Sequence, residues 1–299
     1  MKRVKYVLFI LIAIISGTGC KKFSELAADP NKPSQGTPST IFTGVISQAF
    51  SFDPILGYEV RASQYLVSDN SQQSDQAYLW TTTDYWTYYD ILRNVEQMRI
   101  EAERTKAPVY AAIAKFFKAW CFIELSKQVG DIPMSDALKG IEGNYAPVYD
   151  TQKDVFKNGL GLLEEANSDI AAVIQSNPNV VISGDIIYNG SALKWQKLIN
   201  SYRLRVLIDL SKKSDDADLN VKGQFATVFN NPTQYPVFTS NDDGAIFYWY
   251  DKEGNRYPRY YVPTNMDYYR FGSTYMQYMT QFSDPRLPVV ARITQNASD

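Results

Sequence analysis

The sequence predicts a mainly α protein, on three observations. Apolar side chains recur at helical spacing over long stretches between residues 39 and 282. Prolines, glycines and small polar residues punctuate those stretches where helices begin and end. No run of strands alternating apolar with polar side chains breaks the pattern. Residues 236–265 are the exception, an irregular and aromatic-rich region read as loops with a short hairpin. At 299 residues, 45% hydrophobic and 21% charged, the chain is long enough to bury a sizeable core.

From the N-terminus, Lys2, Arg3 and Lys5 precede the apolar run "YVLFILIAII" at 6–15, and "SGTGC" follows at 16–20. A basic start, a short apolar segment and small residues before a cleavage point describe an export signal. The apolar run is short of the roughly 20 residues that a membrane-spanning helix needs. Cys20 behind small residues reads as a lipobox cysteine, acylated once residues 1–19 are removed, although Gly17 stands where leucine is usual. An ordinary secretory signal is the alternative. Residues 20–38, with three prolines and many turn formers, read as a flexible tether, and residues 39–299 as the helical domain.

Within that domain the first helix is expected at 39–50 and a weaker one at 57–67. Asp84, behind three β-branched threonines, is a candidate N-cap for a helix running to about residue 105. Pro108 suits the first turn of the next helix, which Gly130 ends. That helix carries Phe116, Phe117, Trp120, Phe122 and Ile123 on nearly every side, so it belongs in the interior. Further helices are expected at 151–175, 191–213, 219–230 and 273–282. Long helices in succession with short connections point to stacked helical hairpins of the solenoid kind. Cys121, the only thiol left if Cys20 is acylated, reads as a small buried hydrophobe.

Composition excludes several functions. The formal net charge of −2 offers no basic field for nucleic acid. The absence of histidine removes Ser-His-Asp triads, Cys-His dyads and histidine-ligated metals, and two cysteines are too few for a thiolate cage. "NGLGLLEE" at 158–165 imitates a phosphate loop but lacks its third glycine and lies within a helical pattern. "DADLNV" at 216–221 imitates a calcium loop, with Val221 where glycine is required and Thr227 where the bidentate glutamate belongs. Asp131, Glu142, Asp150 and Asp185 could serve a glycosidase only if two of them faced each other. With 32 Asp and Glu in the chain, a solvated acid is the commoner outcome at any one position. No catalytic residue, metal or cofactor is assigned.

The candidate binding residues are aromatic. "QAYLWTTTDYWTYYDILRN" at 76–94 opens the helix expected after Asp84. Tyr88, Ile91, Val95, Met98 and Ala102 share its core face, whereas Trp86 falls on the opposite, polar side with Asp90, Arg93 and Gln97. Tyr78 and Trp80 precede the helix on a loop rich in Asp69, Asn70, Gln72, Gln73 and Asp75. Flat apolar rings beside amides and carboxylates suit a sugar, whose C–H faces stack while its hydroxyls take hydrogen bonds. Asn70, Gln73, Tyr78, Trp80 and Trp86 are therefore candidate glycan ligands. A second patch, "FYWYDKEGNRYPRYY" at 247–261, adds Trp249 and Tyr257 near Arg256 and Arg259. Its plain alternative is packing of a long irregular segment. The arginines leave a peptide ligand open.

Four motifs then carry a family resemblance: "AIAKFFKAWCFIELSKQVGDIPMSDAL" at 112–138, "APVYDTQKDVFKNGLGLLEEA" at 146–166, "GDIIYNGSALKWQKLINSYRLRVLIDLSKK" at 184–213 and "SDPRLPV" at 283–289. Their order and spacing, with "NKP" at 31–33, resemble the SusD/RagB lipoproteins of the Bacteroidetes. The motif residues are structural ones: caps, stops and core positions. The resemblance implies tetratricopeptide-like helix pairs and a lipid-anchored place on the outer membrane, facing the exterior. It also implies a SusC-like, TonB-dependent transporter as partner, for which the protein captures oligosaccharides or, in the RagB branch, peptides. Such proteins bind without cleaving; a purely structural subunit is a further alternative. Members of the family continue well past the D-P-R-L motif, so a C-terminally incomplete domain is expected here.

Overall fold

The computed structural model describes residues 36–50, 60, 62–68, 86–257 and 269–291. The expectations for the export signal, Cys20 and most of the tether lie outside them, as do Asn70, Gln73, Tyr78, Trp80, Asp84 and Arg259. All elements below belong to the unit Pro38–Asp299.

Among the described residues the chain is mainly α with one small sheet. Its elements are α1 (Pro38–Phe50), β1 (Leu66–Ser68), α2 (Thr87–Arg104), α3 (Pro108–Val129), α4 (Gln152–Ser176), α5 (Ala192–Asp209), α6 (Val221–Asn230), β2 (Tyr269–Phe271), α7 (Ser273–Gln281) and α8 (Leu287–Val290). Helices pack in chain order, α1 on α2, α2 on α3 and so on to α6. That is the stacking expected of consecutive helical hairpins. Among the described residues no helix is long and apolar enough to cross a membrane.

Three expectations need correction. The C-terminal end of the span 57–67 is not helical, because Leu66 and Val67 belong to β1. In the region 236–265 the described residues hold no hairpin; the sheet instead pairs β1 with β2, Leu66 opposite Phe271 and Ser68 opposite Tyr269. The helix expected to reach residue 213 stops at Asp209, and a 3₁₀ turn at Ser211–Lys213 follows.

α3 occupies the middle of the stack and buries residues on all sides, among them Ile113, Phe116, Phe117, Phe122 and Ile123. Cys121 is buried with them, and burial pushes its thiol up. Pro108 opens the helix, and Gly130 ends it with φ +85° and ψ −123°, a conformation open only to glycine. Gly159, inside α4, lies against Ile123: a Cβ there would come within 2.7 Å of that side chain. The glycine of the rejected phosphate-loop look-alike thus lets α3 and α4 approach.

The connection from α3 to α4 is braced at its base. Ile132 and Asp150 exchange two backbone hydrogen bonds, of 3.2 and 2.9 Å. Asp131 accepts the Gln152 N–H at 2.8 Å, and Thr151 caps α4 by accepting the Asp154 N–H. The Asp150 carboxylate turns back to the Met134 and Ser135 N–H groups, both at 2.8 Å, and to the Ser135 hydroxyl. Burial alone would raise the Asp150 carboxyl, but these bonds outweigh it and hold it below the usual carboxylate range. A depressed folded value means that the group stabilises the fold above the unfolded value, near pH 4, and loses that contribution as pH falls through the folded one. In urea titrations, wild type is expected to exceed Asp150→Asn in stability at neutral pH, with the gap shrinking below about pH 4. An equal gap at both ends would show that the charge of Asp150 plays no part.

Trp195 ties α5 to the rest of the core. It is fully buried, with Phe42 of α1 at 5.4 Å between ring centroids, Phe117 of α3 at 5.8 Å and Tyr188 at 5.5 Å. The loop before α5 is organised around Asp185. Its carboxylate accepts the Ile187, Tyr188 and Gly190 N–H groups at 3.0 Å and the Trp195 indole N–H at 2.9 Å. Farther along α5, Lys197 pairs with Asp243 at 2.9 Å, which holds the irregular segment after α6. The G-D-x-x-Y-x-G…W-x-K string therefore describes one structural knot.

Candidate functional site

The candidate acids are already committed. Asp131, Asp150 and Asp185 each accept backbone N–H groups that shape loops, and Glu142 sits in the 3₁₀ turn Gly140–Glu142. Among the described residues no cluster of Cys, Asp and Glu could hold a metal ion.

The aromatic residues behave differently. Trp86 precedes the first residue of α2, occupying the N-cap position that sequence reasoning gave to Asp84, and makes no side-chain cap. Its indole is 63% exposed. Asp90 and Arg93, one and two turns on, pair with each other at 2.8 Å on the same solvent side. The opposite face is core, as the spacing predicts: Ile91, Val95, Met98 and Ala102 are buried, and Tyr88 is half-buried against Trp120. An indole has no reason of packing to face water at that position.

Trp86 is backed by Tyr89, whose ring centroid lies 5.9 Å away at a 45° tilt. Tyr89 is itself fixed at two points. Its ring meets the edge of Phe122 in the core, and its hydroxyl donates to the Pro133 carbonyl at 2.8 Å. Burial, with Tyr149 and Asp150 close by, pushes the phenol up to about 12. It remains a donor at any physiological pH. The side of Trp86 is thus held by a packed, hydrogen-bonded neighbour and not by a loose loop. Sequence reasoning set Trp86 off the core face, where its ring is exposed, and gave Tyr89 no part; the long-range bond to Pro133 leaves no trace in local spacing.

The second patch is built from another segment. Phe247 packs against the main core, Trp249 meets its edge at 4.9 Å, and Tyr257 meets Trp249 at 6.0 Å and 79°. Trp249 and Tyr257 are half-buried, whereas Tyr248 and Tyr250 between and beside them face outward. Arg256 is held by Asp251 at 2.6 Å. This ladder of edge contacts is what packing of an irregular segment requires, and it leaves part of each ring accessible.

Comparison with known proteins places these features in context. A family model described as SusD-like, starch-binding associating with outer membrane, matches residues 30–299. Among solved structures, a SusD homolog of Bacteroides fragilis is 38% identical, with a TM-score of 0.77 over 88% of this chain and 54% of that one. An outer membrane protein of Bacteroides vulgatus, described in connection with nutrient binding, is 36% identical, with a TM-score of 0.76 over 88% and 55%. A protein described as chitin-binding is 25% identical, with a TM-score of 0.66 over 86% and 55%. The chain spans about half the length of these solved relatives. No match is found among curated proteins.

Proposed function

The chain belongs to the SusD-like family, a family of binding proteins and not of enzymes, and on that premise we propose that it captures glycans at the outer membrane for import. The observation that carries this reading is Trp86. It is an exposed indole on an otherwise polar helix face, stiffened by Tyr89, and it presents a flat apolar surface to solvent. Trp80, Tyr78, Asn70 and Gln73, which precede it in the chain, supply further stacking and amide contacts in this proposal. Trp249 and Tyr257 form a secondary contact. The chitin-binding relative supports a carbohydrate ligand in the same fold. Arg256 is engaged by Asp251, which weakens the case for a peptide carboxylate at the second patch.

In this reading residues 1–19 are a signal peptide, Cys20 carries the lipid, and residues 20–38 tether a helical domain at 39–299 to the outer face of the membrane. The captured glycan passes to a SusC-like, TonB-dependent transporter.

The test is affinity electrophoresis of the full chain in mild detergent through gels containing starch, chitin derivatives and other plant, host and microbial polysaccharides. Retardation by one of them is expected, with apparent affinity about tenfold weaker for Trp86→Ala or Trp80→Ala. Because Trp86 is exposed, its replacement leaves the helical circular dichroism signal intact. A folded chain that no polysaccharide retards would overturn the proposal.

A further inference from the structure

The dipeptide Asn-Gly occurs twice in the chain, at 158–159 and at 189–190. Asparagine is among the chemically labile residues, and glycine after it brings no Cβ to crowd the main-chain nitrogen that attacks the side-chain amide. The two pairs sit in different settings. Asn158 lies inside α4, where Gly159 is buried against Ile123 and its N–H belongs to the helix ladder. Asn189 lies in the loop before α5, exposed and in the left-handed region at φ +52°.

What guards Asn189 is the nitrogen of its neighbour. Gly190 is buried, and its N–H donates to the Asp185 carboxylate at 3.0 Å. Its carbonyl accepts the Ile182 N–H, also at 3.0 Å. A Cβ on Gly190 would stand 2.6 Å from the Val181 side chain, and its φ is +89°. Both facts demand glycine there, which keeps the labile pair in the chain. For deamidation the Gly190 nitrogen must lose its proton and swing towards the Asn189 side chain. A carboxylate that accepts that N–H opposes negative charge on the nitrogen. Packing against Val181 and Ile182 opposes the swing.

We propose that Asn189 is a deamidation site shielded by Asp185, converted only when the loop before α5 opens, and that its isoaspartate product keeps the loop from closing again. In the open loop the Gly190 nitrogen gives up its proton and bonds to the Asn189 side-chain carbonyl carbon. The bond from that carbon to its amide nitrogen breaks, and the amide group leaves with one proton as ammonia. Water then opens the succinimide at either carbonyl, giving aspartate or isoaspartate with no change of oxidation state. Isoaspartate routes the main chain through the side chain, so one extra carbon separates the Cα of residue 189 from Gly190. That length shifts Gly190 away from Asp185 and Ile182 together, and the new carboxylate adds a negative charge to the loop.

Peptide mapping of the full chain in mild detergent, at neutral pH with and without denaturing urea, tests it, with the modified residue located by fragmentation. In urea both Asn158 and Asn189 are expected to convert at comparable rates. In native buffer Asn158 stays intact. Asn189 is slowed by the same factor, within about threefold, as hydrogen exchange at the Gly190 amide, since both need the same opening. Asp185→Asn should speed conversion of Asn189 in native buffer by roughly 30- to 150-fold while sparing Asn158, the factor that about 2–3 kcal/mol gives at about 1.36 kcal/mol per tenfold. If that variant unfolds, Asn158 converts alongside Asn189, and the wild-type comparison with hydrogen exchange decides. Conversion of Asn189 in folded wild type as fast as in urea shows no shield, and an Asn189 that stays intact in urea shows no site; either overturns the proposal. So does unchanged conversion in a folded Asp185→Asn chain. Returned to native buffer, isoaspartate chains should lack hydrogen-exchange protection at 182–190, and chains that regain it overturn the claim that the loop stays open.

Discussion

Replacement of Asp185 by alanine is expected to lower the stability of the chain by about 3–5 kcal/mol, read as a fall in the urea midpoint at unchanged slope. The size follows from what the carboxylate holds. It is nearly buried and accepts four N–H groups, from Ile187, Tyr188, Gly190 and the Trp195 indole. Hydrogen bonds to a charged acceptor contribute about 1.5–3 kcal/mol each, and such bonds at one centre are not additive. Alanine removes all four at once and leaves the donors without an acceptor in the interior. Asp185→Asn makes a sharper comparison. One amide oxygen can keep Ile187 and Tyr188, which share a single carboxylate oxygen, but the amide nitrogen then faces Gly190 and the indole, donor against donor. A loss of about 2–3 kcal/mol is expected for it. If Asp185→Ala lost less than about 1 kcal/mol, the loop before α5 would be held by something other than this carboxylate.

Asp185 also shows where sequence reasoning reaches its limit. As one of 32 acids it could be singled out as a possible catalytic group, yet its spacing to Gly190 and Trp195 is the spacing of a structural knot. The helix ends were legible because their chemistry is local: Pro108 in a first turn, Gly130 at a positive φ, Thr151 accepting the Asp154 N–H three residues on. The sheet was not. Strands of three residues carry too little pattern to read, and Leu66–Ser68 finds its partner near the far end of the chain at Tyr269–Phe271. The candidate site divides in the same way. That Trp86 lies off the core face follows from helical period alone. That Tyr89 backs it is fixed by Pro133, which follows the end of α3. Aromatic residues are frequent enough here, with 22 tyrosines, that composition could not choose among them.

The glycine beside Asp185 is expected to be nearly as intolerant. Gly184 has φ +78°, and a Cβ there would lie 2.3 Å from the Ser39 carbonyl oxygen and 2.7 Å from the Thr43 hydroxyl. Both belong to α1, and Thr43 donates its hydroxyl to the Gly184 carbonyl at 2.7 Å. A helix backbone cannot turn aside as the end of a side chain can. Gly184→Ala therefore combines the left-handed penalty of about 1–2 kcal/mol with an overpacking cost of about 1–3 kcal/mol, for a loss of about 3 kcal/mol. The damage has a direction, because the clash lies between the loop and α1. Phe42, Val45 and Ile46 bury α1 against the core, so lifting it opens that end of the stack first. Hydrogen exchange should show the amides of 39–50 losing protection well before those of α3 and α4. Gly161 supplies a control of opposite sign. It lies in α4 on an exposed face where a Cβ would meet nothing within 4 Å. Gly161→Ala is expected to gain about 0.5–1 kcal/mol from helix propensity. A Gly184→Ala chain as stable as wild type, with α1 fully protected, would show that the loop moves to admit the methyl group and that the glycine is not what seats α1.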